Sequence, residues 1–189
     1  MKTMKVVIPG VLTTVQDLGR FGYQKSGMTC SGVMDTAAYR KANYLVGNEE
    51  GAAVLEMTLY GGSCRFEEDT VIALTGADMQ PTVNQKPIAM NQAVKVPAGG
   101  VLNLGMAKTG CRTYLAVAGG FEVPKVMGSY STNLKCGIGG HEGRALQMGD
   151  ELPIGEALHS WDEVKERKVS VPDYPKEVLV SVVPGRSEE

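Results

Sequence analysis

Short runs rich in apolar and β-forming residues, separated by turn residues, make up much of the chain, and one stretch carries a helical stripe instead. Lys2 to Ile8 reads as an opening strand, closed by Pro9-Gly10. Between Asp35 and Val46 the apolar residues Ala38, Ala42, Leu45 and Val46 recur at i, i+4, i+7 and i+8, the stripe of a helix, and Arg40 and Lys41 fall off it. Asp35 suits the N-cap, and Gly47 suits the left-handed position after the last turn. Beyond Asn48 come short runs rich in β-formers: Val54–Leu59, Ser63–Phe66, Thr70–Leu74, Pro81–Val83, Gln92–Val96, Val101–Met106 and Arg112–Val117. Turn residues separate them about every ten positions, as in a sandwich or barrel. Asn84-Gln85-Lys86-Pro87 reads as a hairpin tip and Pro97-Ala98-Gly99-Gly100 as another turn. The glycine-punctuated polar stretch 10–34 is expected to be a loop.

Composition sharpens this picture. Glycine supplies 24 of 189 residues, well above the usual share of about 7%, which favours turn-rich β structure over a helical bundle. A net charge of −2 gives no global attraction to nucleic acid or to an anionic membrane. No apolar run approaches the roughly 20 residues that span a bilayer, and Met1-Lys2-Thr3-Met4-Lys5 lacks the apolar core of a secretory signal. Cys30, Cys64, Cys111 and Cys136 are widely spaced without a C-x-x-C pair, the usage of a reduced, cytoplasmic protein. From 155 to 176 the chain is densely charged and reads as a linker carrying at most a short helix. Residues 177–183 then read as a fresh apolar strand before Pro184-Gly185.

The chemistry-bearing residues concentrate in the stretch 13–35. Asp17 and Asp35 are candidates for general acid–base work, and Asp35 is equally a helix cap. Arg20, between Gly19 and Gly22, either offers a rigid fork to an anion or satisfies loop carbonyls. Glu56 shares a strand face with Val54 and Thr58, where a carboxylate needs a partner if buried. Arg144, after Gly139-Gly140-His141-Glu142-Gly143, is a second anion-binding candidate, whereas Arg112 reads as a strand-edge arginine. The hydroxyl pairs Thr13-Thr14 and Ser131-Thr132 either bind substrate oxygens or cap turns. His141 and His159 are the two histidines, too few and too distant for a catalytic metal, so no metal is expected. The chain has neither the phosphate-binding loop G-x-x-x-x-G-K-[ST] nor a biotinyl-lysine motif.

The run Thr13-Thr14-Val15-Gln16-Asp17-Leu18-Gly19-Arg20-Phe21-Gly22-Tyr23, followed by Ser31-Gly32-Val33-Met34-Asp35, resembles the carboxyltransferase-like family that includes allophanate hydrolase subunit 2. Further matches lie at Arg40–Asn48, Leu55–Thr58, Ala73–Ala77, Arg112–Gly120, Gly128–Thr132 and Gly139–Arg144. The family holds the C component of ATP-dependent 5-oxoprolinase, an antagonist of a sporulation kinase inhibitor, and part of urea carboxylase. The resemblance implies a mainly β fold, a cyclophilin-like β-barrel with one short helix near the N-terminus. It divides the chain into a β subdomain over 1–154, the linker 155–176, and at 177–189 the first strand of a second subdomain. It also implies a subunit that helps hydrolyse the lactam 5-oxoproline to glutamate, with ATP bound together with partner subunits, one like the kinase inhibitor and one binding the lactam. Two other readings stay open. One is a regulator that binds a histidine-kinase inhibitor; the other is the carboxyltransferase part of a biotin-dependent urea carboxylase. The candidate catalytic set is Asp17, Arg20, Asp35 and Glu56, with substrate contacts from Gln16, Tyr23, Ser31, Asn43, Thr58, Ser131, Thr132 and Arg144.

Overall fold

The computed structural model describes residues 2–171, 174–175 and 177–183. Eleven strands are present among them: β1 (Thr3–Ile8), β2 (Leu12–Gln16), β3 (Val54–Thr58), β4 (Tyr60–Phe66), β5 (Thr70–Gly76), β6 (Thr82–Val83), β7 (Lys86–Pro87), β8 (Ala93–Val96), β9 (Val101–Met106), β10 (Arg112–Val117) and β11 (Glu151–Pro153). The helix α1 spans Thr36–Val46, and a single-turn helix α2 spans Trp161–Val164. All strand pairs are antiparallel and form two sheets, ordered β11-β1-β4-β9-β6-β7 and β2-β3-β10-β5-β8. The expected mainly β class with one principal helix is thus present. Both sheets are open, and no closed ring of strands forms among the described residues.

The main core lies between the sheets. Met4, Val6, Phe66, Leu102 and Leu104 of the first sheet meet Val15, Leu55, Met57, Ile72, Leu74, Leu115 and Val117 of the second. On the opposite face of the second sheet, α1 packs Ala38, Tyr39, Ala42, Leu45 and Val46 onto Val54, Ala73, Tyr114 and Ala116. This sheet is therefore covered on both sides, which explains the nearly unbroken buried runs of β5 and β10. Each fully buried aliphatic or aromatic side chain contributes roughly 1.5–3 kcal/mol.

α1 begins and ends where the pattern predicts. The Asp35 carboxylate accepts the Ala38 N–H at 2.9 Å, and Gly47 takes φ 76° beyond the last turn. Asn84 and Gln85, both at positive φ, make the two-residue hairpin that joins β6 to β7.

The stretch 10–34 departs from the expected continuous loop, because its first part is β2. Thr13 Oγ1 donates to the Pro9 carbonyl and Thr14 Oγ1 accepts from Gln16 Nε2, so polar side chains enter a buried strand with their hydrogen bonds made. Val15, fully buried, supplies its inward face.

Residues expected as linker lie along the body. Val164 is buried, the Val169 N–H donates to the Asn91 carbonyl at 3.0 Å, and Arg167 donates to the Tyr44 carbonyl at 2.7 Å. At 177–183, Val178, Leu179, Val180, Val182 and Val183 are exposed and the backbone carries no ladder. Pro184-Gly185 and the rest of that expected strand segment lie outside the described residues.

Candidate functional site

The candidates from 13–35 separate into two surroundings. One is a buried node at the end of β2. The Asp17 carboxylate accepts from Gly19 N–H (2.8 Å), Ser129 Oγ (2.6 Å), Tyr130 N–H (2.7 Å) and Ser131 Oγ. A carboxylate offers about four acceptor sites, so this one is saturated. Arg20 is 1% exposed; its guanidinium donates to the Ser131 carbonyl, to Ser31 Oγ (3.2 Å) and to the Val126 carbonyl (3.5 Å). It has no direct ion pair among the described residues. The node ties the glycine-rich segment to residues 126–140, more than a hundred positions away. Glycine is required at 139, where φ is 70° and an added Cβ would stand 2.6 Å from Arg20 Nη2. Thr132 Oγ1 bonds the Val15 carbonyl, and Gln16 Nε2 reaches the Thr132 carbonyl at 3.3 Å. Gln16 Oε1 is buried without a partner.

The second surrounding is an open cleft on the α1 side of the second sheet. Register places Glu56 of β3 beside Tyr114 of β10. Glu56 Oε2 accepts the Tyr114 hydroxyl and the Met34 N–H, each at 2.8 Å, while the Tyr114 oxygen accepts the Asp35 N–H at 2.8 Å. Burial, with the charges of Glu56 and Asp35 adding to it, pushes the Tyr114 phenol well above the ordinary tyrosine range, so it stays a neutral donor. Arg112 Nε lies 3.3 Å from Glu56 Oε1, an ion pair by distance, yet this buried N–H is not aligned to form a hydrogen bond. The pair is an electrostatic contact only. Next to this group opens a cleft of about 810 Å³ lined by Met34, Asp35, Lys108, Cys111, Arg112 and Tyr174. A neighbouring compartment of about 700 Å³ shares Lys108, Thr109 and Tyr174 and adds an apolar wall from Pro81, Pro87, Ile88 and Met90. The Tyr174 hydroxyl stands 3.5 Å from Asp35 Oδ2, and burial together with Asp35 raises its pKa.

Other expected contacts lie elsewhere. Asn43 bonds the Ala52 carbonyl and Asn48, within the α1–β3 connection. Arg144 grips Asp150 in a bidentate pair at 2.7 and 2.9 Å and also takes Glu142, with His141 3.5 Å from Asp150. That cluster holds the Asp150 carboxyl below the usual range, chiefly through the Arg144 hydrogen bonds. Ser31, at φ 55°, and Ser131 belong to the Asp17–Arg20 node. Thr58 pairs with Arg112 and Leu12 at the sheet end, and Tyr23, 39% exposed, precedes a single 3₁₀ turn. No group of three or more His, Cys, Asp or Glu suited to a metal forms among the described residues. No described helix is long and apolar enough to cross a membrane.

Sequence reasoning missed Lys108, Tyr114 and Tyr174 and read Arg112 as an edge residue. An exposed cation beside a Thr-Gly turn and an aromatic set between Pro172 and Pro175 were the signals available.

The family model for the carboxyltransferase domain, subdomains A and B, matches residues 26–189, and the chain belongs to this family. Among curated relatives, the C component of 5-oxoprolinase from Escherichia coli (strain K12) is 47% identical over 154 residues, which cover 82% of this chain and 50% of the relative. Urea amidolyase of Saccharomyces cerevisiae is 38% identical over 186 residues, 98% of this chain and 10% of that protein. The crystal structure of Kluyveromyces lactis urea carboxylase superposes with a TM-score of 0.79 at 37% identity, covering 96% of this chain and 16% of that one. The chain therefore spans about half the length of the bacterial relative and a small part of the fungal ones. The family resemblance carried by the motifs is borne out.

Proposed function

We propose that this chain serves as part of the C component of an ATP-dependent 5-oxoprolinase and acts at the Asp35 cleft. The observation that carries this reading is the convergence of Asp35, Lys108 and Arg112 on one accessible cleft, with the buried Glu56–Tyr114 pair holding the Met34 and Asp35 backbone behind it. Likeness to the E. coli protein supports the substrate class, since fold alone would not. Hydrolysis of the lactam adds water to the ring carbonyl, breaks the ring C–N bond and releases the nitrogen as an amine. Asp35, free on its Oδ2 side apart from Tyr174, takes a proton from the attacking water. Glu56 and Tyr114 hold the Met34-Asp35 backbone and so aim that carboxylate. Asp17 and Arg20 are positioning residues: the Val33 N–H donates to the Asp17 carbonyl at 2.9 Å, which fixes the approach to Met34 and Asp35.

The residues here do not fit a triphosphate. The N-terminus of α1 is occupied by the Asp35 carboxylate, and two acids stand beside the cleft's cations. In this reading ATP belongs to the partner subunits, and no step is routed through it here. Similarity to urea carboxylase favours a second reading, carboxyl transfer from a biotin carrier.

The test is ATP-dependent conversion of 5-oxoproline to glutamate by the chain combined with its companion subunits. Asp35→Asn is expected to lower turnover at least about 100-fold with the fold intact, within the usual reach of a general base. Unchanged turnover in that variant would remove Asp35 from the chemistry. Biotin-dependent incorporation of labelled bicarbonate without lactam hydrolysis would replace the reading with the second one.

A further inference from the structure

Several cations outside the cleft are committed to partners. Arg144 is committed to Asp150 and Glu142, Arg20 to carbonyls, Arg40 to Glu50 and Lys5 to Glu151. Lys108, by contrast, makes no side-chain hydrogen bond or ion pair among the described residues. Arg112 meets Glu56 only along its Nε edge, at 3.3 Å. Its terminal Nη groups have no hydrogen-bond partner among the described residues, and its side chain is 30% exposed into the cleft. Glu56 offsets Arg112 along that edge and is held there, because Tyr114 and Met34 bond its other oxygen, so it is not free to reach Lys108. Thr109, between the two cations in sequence, lines the same cleft.

A guanidinium whose back edge faces a held carboxylate and whose front edge is open presents its paired N–H groups to a planar, two-oxygen anion. A nearby flexible ammonium adds charge without demanding a direction. We propose that Arg112 and Lys108 form a carboxylate subsite, which binds the acid group of a small amide or lactam substrate and leaves its ring carbonyl toward Asp35. The apolar wall of Pro81, Pro87, Ile88 and Met90, reached past Lys108 and Thr109, suits the methylene edge of such a ring. This proposal rests on the reading of the cleft as a lactam site, departing from the resemblance's implication that a partner subunit binds the lactam, and adds to it the feature that selects an acid over a neutral amide such as urea.

The experiment is calorimetric titration of the chain with 5-oxoproline, with 2-pyrrolidinone (the same ring lacking the carboxylate) and with inorganic phosphate. The proteins are wild type, Lys108→Met and Arg112→Gln. Lys108 is exposed, so its replacement leaves the core intact, and the circular dichroism of each variant is compared with wild type. The wild type is expected to bind 5-oxoproline at least about tenfold tighter than 2-pyrrolidinone, the effect of one charge-assisted hydrogen bond. Each substitution should erase most of that preference and leave 2-pyrrolidinone affinity within about twofold. Equal affinity for the two lactams in wild type, absence of 5-oxoproline binding, or a preference untouched by both substitutions overturns the subsite. Phosphate binding as tight as 5-oxoproline and equally dependent on Lys108 also overturns the carboxylate assignment. Intact acid preference alongside absent ATP-dependent hydrolysis in the reconstituted complex would instead sink the oxoprolinase reading and leave the subsite standing.

Discussion

Replacing Asp17 with alanine tests whether that carboxylate is a structural clamp. Its removal strands four donors in a node where Asp17 is 6% exposed and Ser129 and Ser131 are fully buried. The two hydroxyls can rotate toward other acceptors, but the Gly19 and Tyr130 N–H groups are fixed by the backbone. An unsatisfied buried donor costs about 1–3 kcal/mol, so two give about 2–6 kcal/mol. Water entering the vacated space offsets part of the total. The expected loss is about 4 kcal/mol, a large share of the ~5–15 kcal/mol that stabilises a typical domain. With a urea slope of about 2 kcal/mol/M, the unfolding midpoint should fall by about 2 M. Equilibrium urea unfolding followed by circular dichroism measures this directly. A loss under about 1 kcal/mol with an unchanged slope would refute the clamp and return Asp17 to the list of groups free for chemistry.

Three further outcomes follow from the same geometry. Tyr114→Phe removes the bond to Glu56 and leaves the Asp35 N–H without its acceptor, so thermal or urea unfolding should register a loss of about 1–3 kcal/mol. Asp150 has its folded pKa depressed by Arg144, so its contribution is present above the unfolded carboxylate value and is lost as pH falls through the lower folded value. Stability measured from pH 6 to pH 2 should therefore drop less steeply in Asp150→Asn than in wild type, and identical acid limbs would contradict the assignment. Burial pushes the Cys64 thiol up to about 12, whereas Cys111 and Cys136 are exposed. Titration with a thiol reagent at pH 8 should label those two quickly and Cys64 only after unfolding.

Much of the fold was legible because local signals agreed. Asp35, the Ala38–Ala42–Leu45–Val46 stripe and Gly47 together specify α1, and alternation correctly put Glu56 on the face of Val54 and Thr58. β2 was not legible, since threonines and a glutamine read as loop until their partners at Pro9, Thr14 and Thr132 are known. β11, three residues long, carries too little pattern to detect. The candidate site was legible in part. Asp17 and Asp35 look equivalent along the chain, and what separates them is contact with Ser129, Tyr130 and Ser131, which lie 112 to 114 positions further on. Lys108, Arg112 and Tyr174 reach the cleft from distant segments, and no local spacing joins them to Asp35. Arg144, placed among glycines, resembled an anion site because its acidic partner Asp150 lies beyond the motif.

The central claim, that ligand binds at the Asp35 cleft and leaves the Asp17–Arg20 node untouched, is tested by amide chemical-shift mapping of the labelled chain during titration with 5-oxoproline. Saturable shifts at Asp35, Thr109, Gly110 and Arg112, with Gly19, Ser31 and Ser131 unmoved, are the expected result. Shifts confined to Gly19, Ser31 and Ser131, or to the surroundings of Arg144, would contradict it.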